Sequence, residues 1–308
     1  MTFWVKLRAL PRPPNSRFTI RLNGSAIPTA YRSTEYMFWL RDMKVFFERI
    51  ITGVESLPGQ DVTLDIDIGF ASLEPGTLAQ CGPGDGTWYN IPAYLGDLRF
   101  DNANQKATVY HATMVFNSDY YKATPANETD RSWKRQFFTT AVHECFHAVG
   151  FGSLWNGPFR IISYVPIIGN VLLSTVFPYN VVGTGNPTTA AYTATRALTE
   201  YRAQMVGQGS AASIPIENYN MTANTIMTQA GGTALAHWRG SINGTPSGIR
   251  NAQGQDMIDE VMTAWSSRNE GINRWVGRFT IAALHDIGWA VSYLPLDVPL
   301  HQWKSVNY

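Results

Sequence analysis

The sequence predicts an α+β fold, and three observations carry that prediction. Val62, Leu64, Ile66, Ile68 and Phe70 alternate strictly with polar or small residues. Two stretches, Thr34 to Ile51 and Arg131 to Val149, instead carry apolar residues at helical spacing. Shorter extended runs precede and separate them, giving the order strand, helix, strand, strand, strand, helix. A period of two buries one face of a sheet and a period near 3.6 buries one stripe of a helix. A mixed, twisted sheet with two helices behind it is therefore expected in the N-terminal half.

Phe18 to Leu22 (FTIRL) opens as a strand. The first helix presents Phe38, Leu40, Met43, Phe46, Phe47 and Ile50, with Ser33 or Thr34 as N-cap and Gly53 just past its end. After the alternating strand, Cys81-Gly82-Pro83-Gly84-Asp85-Gly86 has the chemistry of a loop. Asp97 to Phe100 and Ala107 to Phe116 read as two further strands. The second helix has an apolar stripe of Trp133, Phe137, Ala141, Cys145 and Val149, and Gly150 is placed to supply a left-handed stop. Beyond it the pattern loosens. Ala190 to Val206 reads as helical, Ser213 to Glu217 as extended, Asp256 to Trp265 as partly helical, and Trp275 to Gly288 as a helix starting near Thr280. The tail from Leu294 is expected to wrap the surface.

Composition bounds the function classes. The formal charge of the 308 residues is +1, so no nucleic-acid partner is expected. Charged residues make up 15% and aromatic ones 13%, a balance that suits a packed chain and not a disordered one. Two cysteines, Cys81 and Cys145, do not build a disulfide framework. Charges interrupt the N-terminal residues and Pro11, Pro13 and Pro14 follow, so no secretory signal is read there. Ile161 to Thr195 contains no charged residue, and Ile161 to Phe177 is densely apolar but broken by Pro166 and Gly169. That run is shorter than the roughly 20 apolar residues needed to span a bilayer. It reads as a buried insertion or, alternatively, as a patch that touches a membrane or a protein partner.

The chemistry concentrates in His143-Glu144-Cys145-Phe146-His147, an H-E-x-x-H sequence inside the second helix. Positions i and i+4 share a helix face, so His143 and His147 can offer two imidazole nitrogens to one metal ion. Glu144 projects beside them, where a carboxylate can take a proton from a metal-activated water. Cys145, two residues after His143, points away from that face toward the core. A catalytic zinc site usually needs a third protein ligand. The position that would supply it in the compact spacing H-E-x-x-H-x-x-G-x-x-H is Ser153, which fails. His111, His285 and His301 read as structural or exposed. His237 follows a Gly231-Gly232 turn that can return a ligand to a cleft. A carboxylate such as Glu217 or Glu260 is the rival third ligand.

At these residues the chain resembles the leishmanolysin family of metzincin metalloproteases. The likeness rests first on His143-Glu144-Cys145-Phe146-His147-Ala148-Val149-Gly150-Phe151-Gly152. His237-Trp238 is similar to the family's His-Trp at the third zinc ligand, after a long insertion. Glu217 in Ile214-Pro215-Ile216-Glu217-Asn218 resembles the segment preceding that ligand. Glu260-Val261-Met262-Thr263 resembles the Met-turn beneath the zinc, and Leu284-His285-Asp286-Ile287-Gly288-Trp289 the closing helix. Leu78-Ala79-Gln80-Cys81-Gly82-Pro83 and Leu98-Arg99-Phe100-Asp101 have counterparts in the N-terminal lobe. The resemblance runs roughly from Thr34 to Ser292. It departs from the family where Arg239 and Gly240 replace an acidic residue, where Ile161 to Phe177 has no counterpart, and in lacking the many cysteines of protozoan members.

The resemblance implies a zincin (metzincin-like) fold and a zinc-dependent endopeptidase. It implies Zn²⁺ on His143, His147 and His237, Glu144 as general base, Met262 as structural support, and a protein or peptide as substrate. One catalytic domain is expected, with a zincin lobe over 1–155, an insertion over 156–236 and a C-terminal lobe over 237–308. A strand within Asp97 to Phe116 is expected to bind extended substrate by β-addition. Cys81 offers a thiol that could cap the metal. The alternative function is a structural or attachment component, of a phage or other particle, that retains the fold. With no leader or membrane-spanning helix read, an extracellular or particle-associated setting is expected.

Overall fold

Strict alternation makes Val62–Ala71 the centre of a sheet, with Val62, Leu64, Ile66, Ile68 and Phe70 buried. The computed structural model describes residues 5–6, 12–32, 35–84, 98–101, 106–123, 131–154, 159–165, 169–176, 181–182, 189–217, 219–220, 225–226, 235–242, 245–264, 274–293 and 303–304. The central strand pairs in parallel with Phe18–Asn23 on one side and His111–Asn117 on the other. Ala79–Pro83 then adds antiparallel to His111–Asn117 and forms the edge. The molecule is a mixed α+β structure around this mixed sheet.

Parallel neighbours need a crossover, and helix Tyr36–Ile50 supplies the first one. It buries Tyr36, Leu40, Met43, Phe46, Phe47 and Ile50 on one stripe. The helix Arg131–Ala148, which carries the histidine motif, packs against it. Phe47 meets Phe146 edge-on at 4.8 Å, and Tyr36 meets Phe137 at 4.6 Å. Each such ring, fully buried, contributes about 1.5–3 kcal/mol. Cys145 is buried in the same core, as its position after His143 predicts.

Several expectations are corrected. The Cys81-Gly82-Pro83 stretch is a strand: its partner supplies the backbone hydrogen bonds, and Pro83 at the end of an edge strand loses no needed donor. Leu98–Asp101 does not join the central sheet and pairs with Lys106–Val109 instead. The predicted strand over Ala107 to Phe116 breaks at Tyr110, and its second part lies enclosed between two strands. Gly53 does not stop the first helix; Ile51 turns extended and the chain runs straight into strand Ile51–Val54. Ser33, Thr34, Asp85, Gly86 and Asp97 lie outside the described residues, as do the side chain of Trp133 and the Gly231-Gly232 turn.

In the C-terminal half, Ala191–Tyr192 is a strand and the helix starts only at Thr195, ending at Gln204. The Asp286 carboxylate accepts from the N–H groups of Arg196 (3.2 Å) and Ala197 (3.0 Å), capping that helix from a distant segment. The capping residue belongs to helix Arg278–Ile287, which begins two residues before Thr280. Of Asp256 to Trp265, the described residues 256–264 hold one short 3₁₀ helix, Met257–Asp259, and Trp265 lies outside the described residues. Ile214–Pro215 is extended, as expected. Trp289–Val291 pairs antiparallel with Ile51–Val54, and the Trp289 indole donates to the Val149 carbonyl at 2.8 Å. One hydrophobic cluster runs from Phe18 through to Trp289.

The apolar run from Ile161 lies in an antiparallel strand pair, Phe159–Val165 with Gly169–Val176, bulged between Leu172 and Ser174. Phe177 and the side chains of this pair lie outside the described residues. Of the tail, only Trp303–Lys304 is described, paired in parallel with Val5–Lys6. Among the described residues no helix is long and apolar enough to cross a membrane.

Candidate metal centre

The motif helix ends in a left-handed turn that does more than stop it. Gly150 has φ 97°, Gly150 N–H donates to His147 O at 2.9 Å, and Phe151 N–H donates to Phe146 O at 2.9 Å. This is the Schellman pairing, with the Phe146 and Phe151 rings in edge contact at 6.0 Å. The turn aims the Phe151 carbonyl back at the helix, where it accepts from His147 Nδ1 at 3.0 Å. His143 Nδ1 donates to a different carbonyl, that of Val261, at 2.6 Å.

Carbonyls only accept, so these two contacts place the ring protons of His143 and His147 on Nδ1. Their Nε2 atoms are then bare lone pairs, yet they face each other at 3.2 Å. His237 joins them, with its Nε2 at 3.0 Å from each. The two bare lone pairs repel each other unless a proton on His237 Nε2 or a bound cation lies among them. Ligand nitrogens roughly 2.0–2.1 Å from a tetrahedral metal stand about 3.3 Å apart. The three histidines therefore fit a metal ion both in donor chemistry and in spacing. Among the described residues this is the only such convergence of His, Cys, Asp or Glu.

His237 lies within 235–240, described residues that form neither a helix nor a strand. Its carbonyl accepts from Glu217 N–H at 2.8 Å, and Leu235 N–H donates to Glu217 O at 2.5 Å. Leu235 takes a left-handed φ of 58°, which turns the chain sharply into the site. On the other flank Trp238 N–H donates to Met262 O at 2.9 Å. Gly152, at φ 80°, lies so close that a Cβ there would sit 2.6 Å from the Ala236 carbonyl oxygen. The glycine thus lets the end of the motif helix touch the segment that delivers His237.

Burial tunes the titrating groups. His143 lies well below its ordinary value, through burial first and then through His147 and His237. Burial pushes His147 down to about 4, so its imidazole is neutral at pH 7. Burial pushes the Glu144 carboxyl up to about 8.

The rival ligands stand elsewhere. Glu260 is fully buried, but its carboxylate accepts from Met262 N–H, Gly277 N–H and Thr280 Oγ1. Glu217 is buried and does not join the imidazoles; burial lowers the half-buried Arg239, and the Glu217 charge partly offsets this. Cys81 sits on the edge strand beside the motif helix, outside the group. Burial, and then the charge of Glu144, push its thiol well up. That favours the protonated thiol over the thiolate a metal cap requires. His111 pairs with Asp67 and His285 with Glu55, both as structural residues, and His301 lies outside the described residues. Met262 is fully buried in the turn whose backbone holds His143 and Trp238.

The Phe151 and Val261 carbonyls escaped sequence reasoning because main-chain acceptors have no sequence signature. Arg274, which donates to Val261 O at 2.9 Å, escaped it because it lies in a stretch without periodicity. In comparisons with known proteins, no protein-family model matches the chain and no curated protein matches it.

Proposed function

We propose that the chain is a zinc-dependent endopeptidase with a metzincin-like zincin fold. The observation that carries this reading is the convergence of three imidazole Nε2 atoms, 3.0–3.2 Å apart, two of them from the helix that also carries Glu144. Three histidine donors without sulfur suit a catalytic zinc, which keeps an open position, better than a structural one. Zinc held there supplies Lewis-acid activation of a water and of the substrate carbonyl.

The chain's own residues do the rest. His143, His147 and His237 hold the ion as neutral donors. Glu144 accepts one proton from the attacking water as the new C–O bond forms, and delivers it to the peptide nitrogen as the C–N bond breaks. Burial holds its carboxyl at about 8, and a cation bound nearby would lower it toward the working range of a base that must also act as an acid. Among the described residues no strand pairs with the outer edge of Ala79–Pro83, which runs beside the motif helix. That edge is open to the addition of an extended peptide. Of the strands within Asp97 to Phe116, His111–Asn117 is paired on both edges and has no edge for an added strand. Met262 supports the ligands by packing and takes no part in the chemistry.

Zinc content by mass spectrometry, with peptide-library cleavage, tests the reading. About one zinc per chain is expected in the wild type, lost in His237→Ala, with cleavage lost in Glu144→Gln. No zinc after incubation with the metal would favour a structural or attachment component that keeps the fold without the chemistry.

A further inference from the structure

Behind the imidazoles lies a carboxylate that the proposed chemistry does not use. Glu260 is completely buried. One oxygen accepts from Met262 N–H at 2.6 Å; the other accepts from Gly277 N–H at 3.0 Å and from the Thr280 hydroxyl at 2.6 Å. The Thr280 hydroxyl has a single hydrogen, and it goes to Glu260. Its lone pair is thereby presented to the Trp238 indole N–H, which donates at 2.8 Å. Trp238 is the residue after His237, and its own N–H is tied to Met262 O.

A second branch leaves the same residue. The turn closed by Glu260 and Met262 N–H contains Val261, whose carbonyl accepts both His143 Nδ1 at 2.6 Å and Arg274 Nη1 at 2.9 Å. One carboxylate thus joins three segments distant in sequence: the turn under the site, the entry to helix Arg278–Ile287, and, through Thr280, the His237–Trp238 segment. A carboxylate kept for packing alone could be replaced by an apolar side chain, since burying the charge is unfavourable in itself. Groups behind the ligands that fix ring orientation change metal affinity roughly ten- to hundred-fold when removed.

We propose that Glu260 is a positioning residue for the metal centre. Through Thr280 and Trp238 it sets His237, and through the Glu260–Met262 turn it sets the carbonyl that orients His143. This inference rests on the metal-centre reading above. The test is zinc affinity by competition with a chromophoric chelator, together with the visible spectrum of the cobalt(II)-loaded full chain. Both are measured on wild type, Glu260→Gln, Thr280→Val and Thr280→Ser, alongside melting of each metal-free protein. Thr280→Val, nearly isosteric but without the hydroxyl, is expected to weaken zinc binding about ten- to hundred-fold and to shift the cobalt bands. Thr280→Ser should restore both, and Glu260→Gln should resemble Thr280→Val. Wild-type affinity and an unchanged cobalt spectrum in Thr280→Val would overturn the proposal, whatever its melting temperature. Should Glu260→Gln fail to fold, the Thr280 pair still decides. A wild type that binds neither metal refutes the metal centre itself, and the positioning role with it.

Discussion

The motif helix and the segment that delivers His237 contribute to one site by opposite means. The helix brings His143, Glu144 and His147 together through periodicity, and its placement comes from apolar rings such as Phe137 and Phe146. His237 lies on irregular chain, held by backbone bonds to Glu217 and Met262 and by a buried polar chain through Trp238, Thr280 and Glu260. Apolar packing tolerates small shifts. Directional hydrogen bonds in a dry interior do not, because a lost partner leaves a buried polar group unsatisfied. The irregular half should therefore control the quality of the site, and the regular half its stability.

The largest effect separates chemistry from binding. Glu144→Gln is expected to lower the cleavage rate about 10²–10⁴-fold while zinc content stays at the wild-type level. Kinetics and metal analysis on one preparation check it, and zinc loss in this variant would give Glu144 a ligand role. Next, Phe47→Ala removes a fully buried ring packed at 4.8 Å on Phe146. It should cost about 3–5 kcal/mol in denaturant unfolding and leave the zinc affinity of the folded protein unchanged. A matching loss of affinity would break the division between the two halves.

Gly152→Ala sits on the boundary between them. The new Cβ would press on the Ala236 backbone, at a φ of 80° that side chains rarely adopt. A loss of about 1–3 kcal/mol is expected, now together with weaker zinc binding, since Ala236 precedes His237. Melting and chelator competition read the two effects separately, and destabilisation without an affinity change would count against the contact.

The smallest effect is a pH slope in metal-free protein. The folded Glu144 carboxyl keeps its proton to about 8, whereas an unfolded one releases it near 4.5, so its stabilisation is present at low pH and lost as pH rises toward 8. His147 has the opposite sign, with stability lost as pH falls from 6.5 toward 4. Glu260, pushed up to about 7 by burial, shares the sign of Glu144 but is exhausted above that value. Between pH 7 and 8 the melting temperature of metal-free wild type should fall, and that of Glu144→Gln should stay flatter. Equal slopes would remove Glu144 as the cause.

Much of the regular half is legible from residue order. Alternation over Val62 to Phe70, the stripe of the first helix and the Gly150 stop need only local geometry, and each stands as read. The edge strand Ala79–Pro83 was not legible. Gly82 and Pro83 disfavour extended pairing in isolation, and only the partner His111–Asn117 supplies the hydrogen bonds that overrule them. Ile51–Val54 and Trp289–Val291 are too short for any period, and each is a strand only because the other is there.

The candidate site divides along the same line. Sequence alone determined that His143 and His147 share a helix face with Glu144 beside them, because i and i+4 adjacency follows from helix geometry whatever surrounds it. Residue types offered His237, with Glu217 or Glu260 as rivals, and the family resemblance favoured His237 as the third group. Tertiary structure brings the imidazole of His237 to the other two, while the carboxylate of Glu260 is held by three donors. The physical reason is range. Periodicity acts over one helical turn, whereas His237 and His143, 94 residues apart, meet only because buried hydrogen bonds close that distance after the chain has folded.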